Sequence, residues 1–274
     1  MRDAECREFL DWALPRMGFR PAGFRRVRGQ VCKRIARRLR ALDMPDIAAY
    51  RRRLDADPEE WAELESFCRI TISRFCRDRP VFEWLQEVAL PELAGRALAQ
   101  DRTTLHCWSA GCGGGEEPYT LRILWDLRLS SRFPTLQFDI VATDASPAML
   151  ARARHAVYRP GTLRELPEGL VADAFTTTQG EYRLRQEFRT GVRFLRQDIR
   201  RRMPRGPFDL VLCRNLAFTY FDEVGQRSVL RRIARRMIPG SVLLIGRNEC
   251  LPADTYGFRE DQATPGAYRY RDPL

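Results

Sequence analysis

The sequence has little histidine and almost no lysine, and it contains no long apolar run. Among its 274 residues are two histidines, and its eight cysteines form no Cys-x-x-Cys pair. A zinc site needs about four N, S or O ligands at close spacing, so we expect no metal. No stretch approaches the roughly 18 apolar residues of a membrane-spanning helix, and the first residues lack the apolar core of a secretory signal. We therefore expect a cytoplasmic protein without membrane insertion, whose cysteines are reduced and buried in the core.

Positive charge is in excess and unevenly distributed. The chain has 47 basic and 36 acidic residues, a net charge of +11, and Lys33 is the only lysine. Residues 16–40 carry ten basic side chains and no acidic one, whereas residues 183–205 carry nine basic and two acidic ones. Such a basic surface attracts acidic partners at long range. Nucleic acid, an acidic protein helix and anionic lipid all fit, and so does a solvated surface that binds no partner.

Helical spacing dominates the first 70 residues. Apolar side chains recur at helical spacing in residues 5–14, Asp46 can cap a third helix, and Pro58 lies in the first turn of a fourth. Residues 31–42 predict an amphipathic helix with basic side chains around an apolar stripe. Residues 1–70 therefore predict a small all-helical domain. The members of the stripe are Val31, Ile35, Leu39 and Leu42.

After residue 80, short apolar segments alternate with helical stretches. Strands are predicted at 105–110, 138–143, 208–213 and 241–246, and helices at 118–129, 147–156 and 227–237. This alternation predicts an α/β domain at 71–274 with a mainly parallel, doubly wound sheet. Residues 181–195 interrupt the alternation, and we expect an inserted antiparallel hairpin there with its turn at Thr190-Gly191.

A glycine-rich turn follows the first predicted strand and opens a helix. Its sequence is Gly111-Cys-Gly-Gly-Gly-Glu-Glu117. Glycines let the backbone approach a ligand closely, and in dinucleotide enzymes such a turn binds a pyrophosphate at the helix N-terminus. Here Glu116 and Glu117 would repel a phosphate. They favour a ligand with a cationic group, such as the amino-acid end or the sulfonium of S-adenosylmethionine.

Polar residues also end two of the predicted strands. Asp144 ends the second strand, where a carboxylate can accept hydrogen bonds from both ribose hydroxyls. Ser146 can cap the helix that follows, which leaves Asp144 for a ligand. The strand at 208–213 delivers Arg214 and Asn215 to the same carboxyl edge of the sheet, where ligands bind in this architecture. Tyr220 follows within reach of that edge.

In this order, the motifs resemble those of one family. They are Glu116-Glu-Pro-Tyr after the turn, Ala142-Thr-Asp at the second strand, Cys213-Arg-Asn followed by Tyr220-Phe, and Ile70-Thr-Ile-Ser-Arg-Phe-Cys-Arg-Asp78 ahead of the domain. Together they are similar to the CheR-type chemotaxis receptor methyltransferases. The resemblance implies a Rossmann-like class I methyltransferase sheet, S-adenosylmethionine as cofactor, and O-methylation of receptor glutamates. It also implies that the basic helix at 31–42 faces the acidic methylation helices of the receptor.

The resemblance further implies roles for individual residues. Arg77 matches an arginine that lies beside the methyl donor, in the cofactor site, and is implicated in catalysis, and Tyr220 matches the active-site tyrosine. We expect these two catalytic residues to position the acceptor oxygen. Glu117 matches a cofactor-binding acid, and Asp144 matches the ribose ligand. The pair Asp198-Ile199 matches the position of the two residues that flank the adenine of the cofactor in the family. The other positions that match the cofactor site are Thr71, Ser73, Gly111, Arg214 and Asn215.

The chain departs from the family pattern at several of these motifs. The family usually has asparagine at Thr71, threonine at Ser73, Ser-Thr-Gly at 113–115 and Gly-x-Ser-Glu at 246–249. Four residues rather than three separate Asn215 from Tyr220. These departures motivate an alternative acceptor, a small-molecule or peptide carboxylate, on the same fold.

Two further alternatives stay open. Nucleic-acid methylation would suit the net charge of +11. It is disfavoured because enzymes that methylate base amino groups often end this strand with a polar residue and Pro-Pro-aromatic, where this chain has Arg214-Asn-Leu-Ala-Phe. A signalling adaptor that binds the cofactor without turnover is the other alternative.

Overall fold

The computed structural model describes residues 3–262 and 264–271, and these residues form two units. The first unit comprises the residues up to Ile70 together with Thr219–Gln226. The second comprises Thr71–Phe218 and the residues from Arg227 onward. The segment 219–226, which the sequence analysis placed in the α/β domain, thus groups with the helical unit. In the described part of the chain, no helix is long and apolar enough to cross a membrane.

The first unit is helical, as predicted. Asp46 caps the third helix by accepting a hydrogen bond from the Ala49 backbone N–H at 2.7 Å. Pro58 lies in the first turn of the fourth helix. Val31, Ile35 and Leu39 on the second helix are buried, which confirms its amphipathic character. The helices are α1 (Asp3–Arg16), α2 (Arg28–Ala41), α3 (Ile47–Ala56) and α4 (Pro58–Cys68), with a short 3-10 helix at Pro21–Phe24.

The basic side chains of α2 divide into inward and outward groups. Arg34 donates to the carbonyls of Phe67 and Arg69 at 2.7 and 2.9 Å. Arg38 binds the carboxylate of Glu60 through two N–H groups. Because these two arginines bind within the unit, the exposed basic face of α2 is narrower than the sequence suggests. Its exposed members are Lys33, Arg37 and Arg40.

Glu60 is a buried carboxylate with several donors around it. Its side chain is 2% exposed. It accepts two hydrogen bonds from Arg38, at 3.0 and 2.7 Å, and one from the Tyr50 hydroxyl at 2.7 Å. Burial raises the pKa of Glu60, but the bonds from Arg38 and Tyr50 and the charge of Arg53 outweigh burial, so the pKa lies below its ordinary value of 4.5. The carboxylate therefore joins α2, α3 and α4 in its charged form.

Replacing Glu60 by glutamine is expected to lower the free energy of unfolding by about 2 kcal/mol at neutral pH, because hydrogen bonds to a charged group are lost. A lowered pKa stabilises the fold above the ordinary pKa, and this stabilisation disappears as the pH falls through the folded-state value. Denaturant unfolding measured from about pH 7 to about pH 3 should therefore show the free energies of unfolding of the wild type and of Glu60→Gln converging in acid. Glu63→Gln, at an exposed position of the same helix, is the control. A constant difference across this pH range would contradict the assignment.

The prediction of uniformly reduced, buried cysteines is wrong at three positions. Cys6 and Cys32 form a disulfide between α1 and α2, with their Cα atoms 6.0 Å apart. Cys250 is exposed. The pairing escaped sequence analysis because 26 residues separate the two cysteines, and only the packing of the helices brings them together. The remaining cysteines are buried thiols, as expected.

The second unit contains, within the described residues, a seven-stranded and a three-stranded sheet. Its strands are β1 (Thr104–Ala110), β2 (Gln137–Asp144), β3 (Val157–Tyr158), β4 (Phe175–Thr178), β5 (Glu181–Leu184), β6 (Val192–Arg196), β7 (Phe208–Cys213), β8 (Met237–Ile245), β9 (Phe258–Glu260) and β10 (Ala267–Tyr270). The large sheet has the order β6-β2-β1-β7-β8-β10-β9. Its first five strands are parallel, and β10 is antiparallel to both neighbours. The predicted doubly wound sheet is confirmed.

The small antiparallel sheet is present, but its position differs from the prediction. It has the order β3-β5-β4, and β4 and β5 are joined by a tight turn at Gln179-Gly180, both with positive φ. The turn expected at Thr190-Gly191 is not a hairpin turn. Instead, β6 pairs in parallel with β2 in the large sheet. The alternating pattern of a short segment predicts a strand, but the pattern does not indicate which sheet that strand joins.

Helices connect the strands of the large sheet on both faces. The helix predicted at 118–129 begins earlier, at Glu116, and continues as a π-helical turn at Trp125–Leu129. A second π-helical turn occupies Leu85–Ala89. The other α-helices among the described residues are α5 (Arg79–Trp84), α6 (Leu90–Ala99), α7 (Glu116–Leu124), α8 (Pro147–His155), α9 (Pro160–Leu163), α10 (Glu168–Ala174), α11 (Ala217–Tyr220) and α12 (Glu223–Ala234).

Candidate cofactor and active site

The glycine turn lies between β1 and α7 and is bound to the end of β2. The backbone N–H groups of Gly111 and Cys112 both donate to the Thr143 carbonyl, at 2.8 and 3.0 Å. Gly111 has a φ of +74°, and a Cβ on it would lie 2.8 Å from the Leu216 side chain. The positive φ disfavours any side chain at Gly111, and a Cβ there would also require the end of the Leu216 side chain to shift.

Asp144 is fixed between the glycine turn and α8. Its Oδ2 accepts the Gly113 N–H at 2.9 Å, and its Oδ1 accepts the Ser146 N–H at 2.8 Å. Ser146 in turn caps α8 by accepting from the Met149 N–H, as predicted. A carboxylate has about four acceptor positions, so ribose hydroxyls can bind the same group.

Glu116 and Glu117 have different environments. Glu116 is fully buried and pairs with Arg152, so the expectation that both carboxylates act on the ligand is wrong for Glu116. Consecutive helical residues point about 100° apart, so the two cannot share one face. Glu117 accepts from the Ser109 hydroxyl at 2.8 Å and from Arg214 at 3.2 Å.

Arg214 joins three segments of the site. Its side chain is 2% exposed and donates to Glu117, to the Asp78 carboxylate at 2.7 Å and to the Arg77 carbonyl at 2.8 Å. The guanidinium also lies over the Phe82 ring, 5.3 Å from its centre. One positive charge against the carboxylates of Glu117 and Asp78 leaves this part of the site negative.

Arg77 and Asn215 are also in contact. Arg77 donates to the Ile72 carbonyl at 2.8 Å and to the Asn215 side-chain oxygen at 3.3 Å. Asn215 has a φ of +53°, and its backbone N–H donates to the Glu249 carboxylate at 2.9 Å. Glu249 is 6% exposed and also accepts from the Gly246 N–H. Sequence analysis noted 246–249 only as a departure, so it missed the structural role of Glu249.

The other positions matched to the cofactor lie along the same edge or at its margin. Ser73 lies beside the turn, its Cβ 3.3 Å from where a Cβ on Gly113 would be. Thr71 is exposed at the start of this segment. Asp198 accepts from the Arg200 backbone and guanidinium, and Ile199 is buried. The pair follows β6, which is paired with β2 up to Asp144.

Tyr220 groups with the helical unit. Its ring packs on Phe24, with centres 4.9 Å apart, and its carbonyl accepts from the Arg20 N–H at 2.9 Å. Phe221 beside it is buried and packs on Phe19. Tyr220 thus belongs to the first unit, and its role at the acceptor stays a prediction.

Cys112 lies in the glycine turn without the properties of a nucleophile. Burial raises the pKa of its thiol well above the ordinary value, and the carboxylates of Asp144, Glu117 and Glu116 raise it further. The thiolate is the reactive form of cysteine. Cys112 therefore stays protonated at neutral pH.

These observations define a class of protein. Numbered along the chain, the seven strands of the large sheet have the order 3-2-1-4-5-7-6, a doubly wound order in which ligands bind at the carboxyl edge of the parallel strands. The residues present fit S-adenosylmethionine, because the carboxylates of Glu117 and Asp144 flank the turn. Asp144 lies at the end of the strand, where a ribose binds in this architecture. Glu117, Asp144 and the turn would hold the cofactor. The protein is an S-adenosylmethionine-dependent methyltransferase.

The chain belongs to the CheR methyltransferase family. Its SAM binding domain model matches residues 71–266, and the CheR all-alpha domain model matches residues 27–66. A chemotaxis protein methyltransferase of Listeria innocua is 35% identical over 197 residues, 71% of each chain. One of Salmonella typhimurium is 29% identical over 257 residues, covering 91% of this chain and 84% of its own. An uncharacterized 104.1 kDa protein of Rhodobacter capsulatus is 34% identical over 225 residues, 81% of this chain but 23% of that protein.

Replacing Asp144 by asparagine is expected to weaken the binding of S-adenosylhomocysteine by about tenfold, because a neutral amide accepts hydrogen bonds from ribose less strongly than a carboxylate. The single amide oxygen can still accept from one of the two backbone N–H groups that the carboxylate accepts, those of Gly113 and Ser146. Titration calorimetry without any acceptor measures the effect. Asp139→Asn, at an exposed position of the same strand, is the matched control. Equal affinities in Asp144→Asn and wild type would exclude Asp144 as the ribose ligand.

Proposed function

We propose that the chain transfers the methyl group of S-adenosylmethionine to glutamate side chains of an acidic helical protein such as a chemoreceptor. The observation that carries this proposal is the match to relatives named chemotaxis protein methyltransferase, one of which aligns with 91% of this chain. The place of action that goes with it is the cytoplasm, because a charged cofactor does not cross a bilayer unaided.

This reaction requires the protein to orient the two reactants more than it requires a general base. A glutamate titrates near pH 4.3 and is therefore already ionised at pH 7. When bound, the cofactor would supply a methyl group on a cationic sulfur. Attack of a carboxylate oxygen on the methyl carbon would form the ester C–O bond, break the C–S bond in line and release the neutral thioether S-adenosylhomocysteine. Holding the two reactants in this geometry can lower the barrier by about 7–11 kcal/mol.

Arg77 is suited to hold the acceptor carboxylate. A guanidinium has five N–H groups in a planar fork and can bind a carboxylate through two of them. The bonds to Ile72 and Asn215 occupy one group on each terminal nitrogen. Since a cation beside a sulfonium is unfavourable, the proposed role places the guanidinium toward the acceptor.

The outward basic face of α2 supports an acidic partner. Lys33, Arg37 and Arg40 are exposed on this helix, whereas its apolar stripe packs inward. Such a face attracts an acidic helix through long-range charge. We propose it as the surface that approaches the methylated protein.

Incubation with labelled cofactor and a chemoreceptor tests the proposal. Label that alkali releases from the receptor as methanol supports a glutamate ester, whereas alkali-stable label would mean another acceptor atom. Methylation of a small-molecule carboxylate without methylation of the receptor would favour the alternative acceptor. The same assay at rising salt concentration tests whether the basic face of α2 attracts the receptor, because salt screens the attraction between exposed charges.

A further inference from the structure

We propose that Tyr158 is a positioning residue that holds the glycine turn in its cofactor-binding shape and connects it to the small antiparallel sheet. The inference rests on the proposed use of that turn for the cofactor. Tyr158 lies on β3 and is 1% exposed, and its hydroxyl donates to the Gly114 carbonyl at 2.9 Å. Gly114 is itself buried. A buried carbonyl that loses its donor is costly, so this bond determines where the middle of the turn lies.

The ring of Tyr158 contacts a second segment of the cofactor site. Phe75 meets it edge-on, with centres 4.8 Å apart and planes at 90°. Phe75 lies between Ser73 and Arg77, and its backbone N–H donates to the Thr162 carbonyl at 2.9 Å. One side chain thus contacts both the glycine turn and the segment that carries Arg77.

Charged neighbours further restrict the turn. The Arg152 guanidinium lies 5.7 Å from the centre of the Tyr158 ring and pairs with the buried Glu116. A Cβ on Gly114 would lie 3.0 Å from a Glu116 carboxylate oxygen and 3.1 Å from Arg152 Nε. Gly114 is therefore enclosed by side chains, and Tyr158 donates to its carbonyl.

The small sheet is consequently in direct contact with the cofactor turn. Tyr158 pairs with Tyr182 of β5, and its ring also lies near Phe175 of β4. A displacement of β3 would move the hydroxyl away from Gly114. The sheet therefore contributes to cofactor affinity although its strands are separate from the large sheet.

Two matched tyrosine variants test this role. Tyr119 is also 1% exposed, and its hydroxyl also donates to a backbone carbonyl, that of Ala153 at 3.0 Å in α8. Tyr158→Phe and Tyr119→Phe each keep the ring and remove one buried hydroxyl. We expect Tyr158→Phe to weaken S-adenosylhomocysteine binding by about fivefold, roughly 1 kcal/mol. Tyr119→Phe should change this affinity by less than about twofold, even where it lowers the melting temperature as much.

Hydrogen exchange supplies a readout that general destabilisation would not reproduce. Amides of residues 113–116 should exchange faster in Tyr158→Phe than in Tyr119→Phe, with similar rates in the rest of the large sheet. If both variants weaken binding in proportion to their loss of stability, or if neither does, Tyr158 has no positioning role. The measurements need no acceptor, so a failure of the proposed glutamate chemistry would leave their outcome interpretable.

Discussion

Replacing Arg77 by alanine is expected to lower the rate of methyl transfer by about 100-fold at saturating cofactor, because misplacing a reactant by about 1 Å can cost that factor. The guanidinium joins the Ile72 carbonyl to Asn215 and has N–H groups for a carboxylate. Arg77→Lys should recover little of the rate. An ammonium is a point charge without the planar fork that binds both oxygens of a carboxylate.

Separate measurement of turnover and cofactor affinity distinguishes the two roles expected for Arg77. A group that orients the acceptor changes turnover while S-adenosylhomocysteine still binds with nearly wild-type affinity. Arg79→Ala is the matched control, since its side chain is 57% exposed and pairs with Glu83. If Arg77→Ala loses affinity and rate in equal proportion, Arg77 only shapes the cofactor pocket. An unchanged rate would remove it from the reaction altogether.

Local patterns predicted most of the large sheet. The strand predicted at 208–213 is found with those bounds, because a fully buried strand is a nearly continuous apolar run, interrupted here by Asp209. The strand predicted at 241–246 starts too late, because β8 begins at Met237, before the Pro-Gly pair. The hairpin at 181–195 was wrong because two strands close in sequence need not pair. Here β5 joins the small sheet and β6 joins the large one.

The candidate site was predictable where its residues belong to one motif. Asp144 and the cap at Ser146 are only two residues apart, so their division of roles followed from local geometry. Partners distant in sequence carry no such signal. Arg152 neutralises Glu116 across 36 residues, and Glu249 reaches Asn215 across 34. Only the packing of α8 beside the start of α7, and of the residues after β8 beside those after β7, brings these pairs together.

Replacing Arg214 by methionine is expected to lower the free energy of unfolding by about 3 kcal/mol, because removing one partner of a buried ion pair leaves an uncompensated charge. The side chain of Glu117 is 14% exposed and that of Asp78 is 34% exposed. Water can solvate Asp78 more readily than Glu117. Most of the loss should therefore come from Glu117, and adding Glu117→Gln to Arg214→Met should restore part of the stability. A coupling free energy of about 1–2 kcal/mol is expected from the double-mutant cycle.

Denaturant unfolding of the four proteins of this cycle, with calorimetry of S-adenosylhomocysteine, separates two roles for Arg214. If Arg214 acts through Glu117 and the Arg77 carbonyl, stability and cofactor affinity should fall together, and the double variant should regain stability but not affinity. Arg205→Met, at an exposed position after β6, should change stability by no more than about 0.5 kcal/mol. An Arg214→Met protein as stable as that control, yet unable to bind cofactor, would show that the guanidinium is a direct ligand. In that case the bonds to Asp78 and Glu117 would contribute little to the fold.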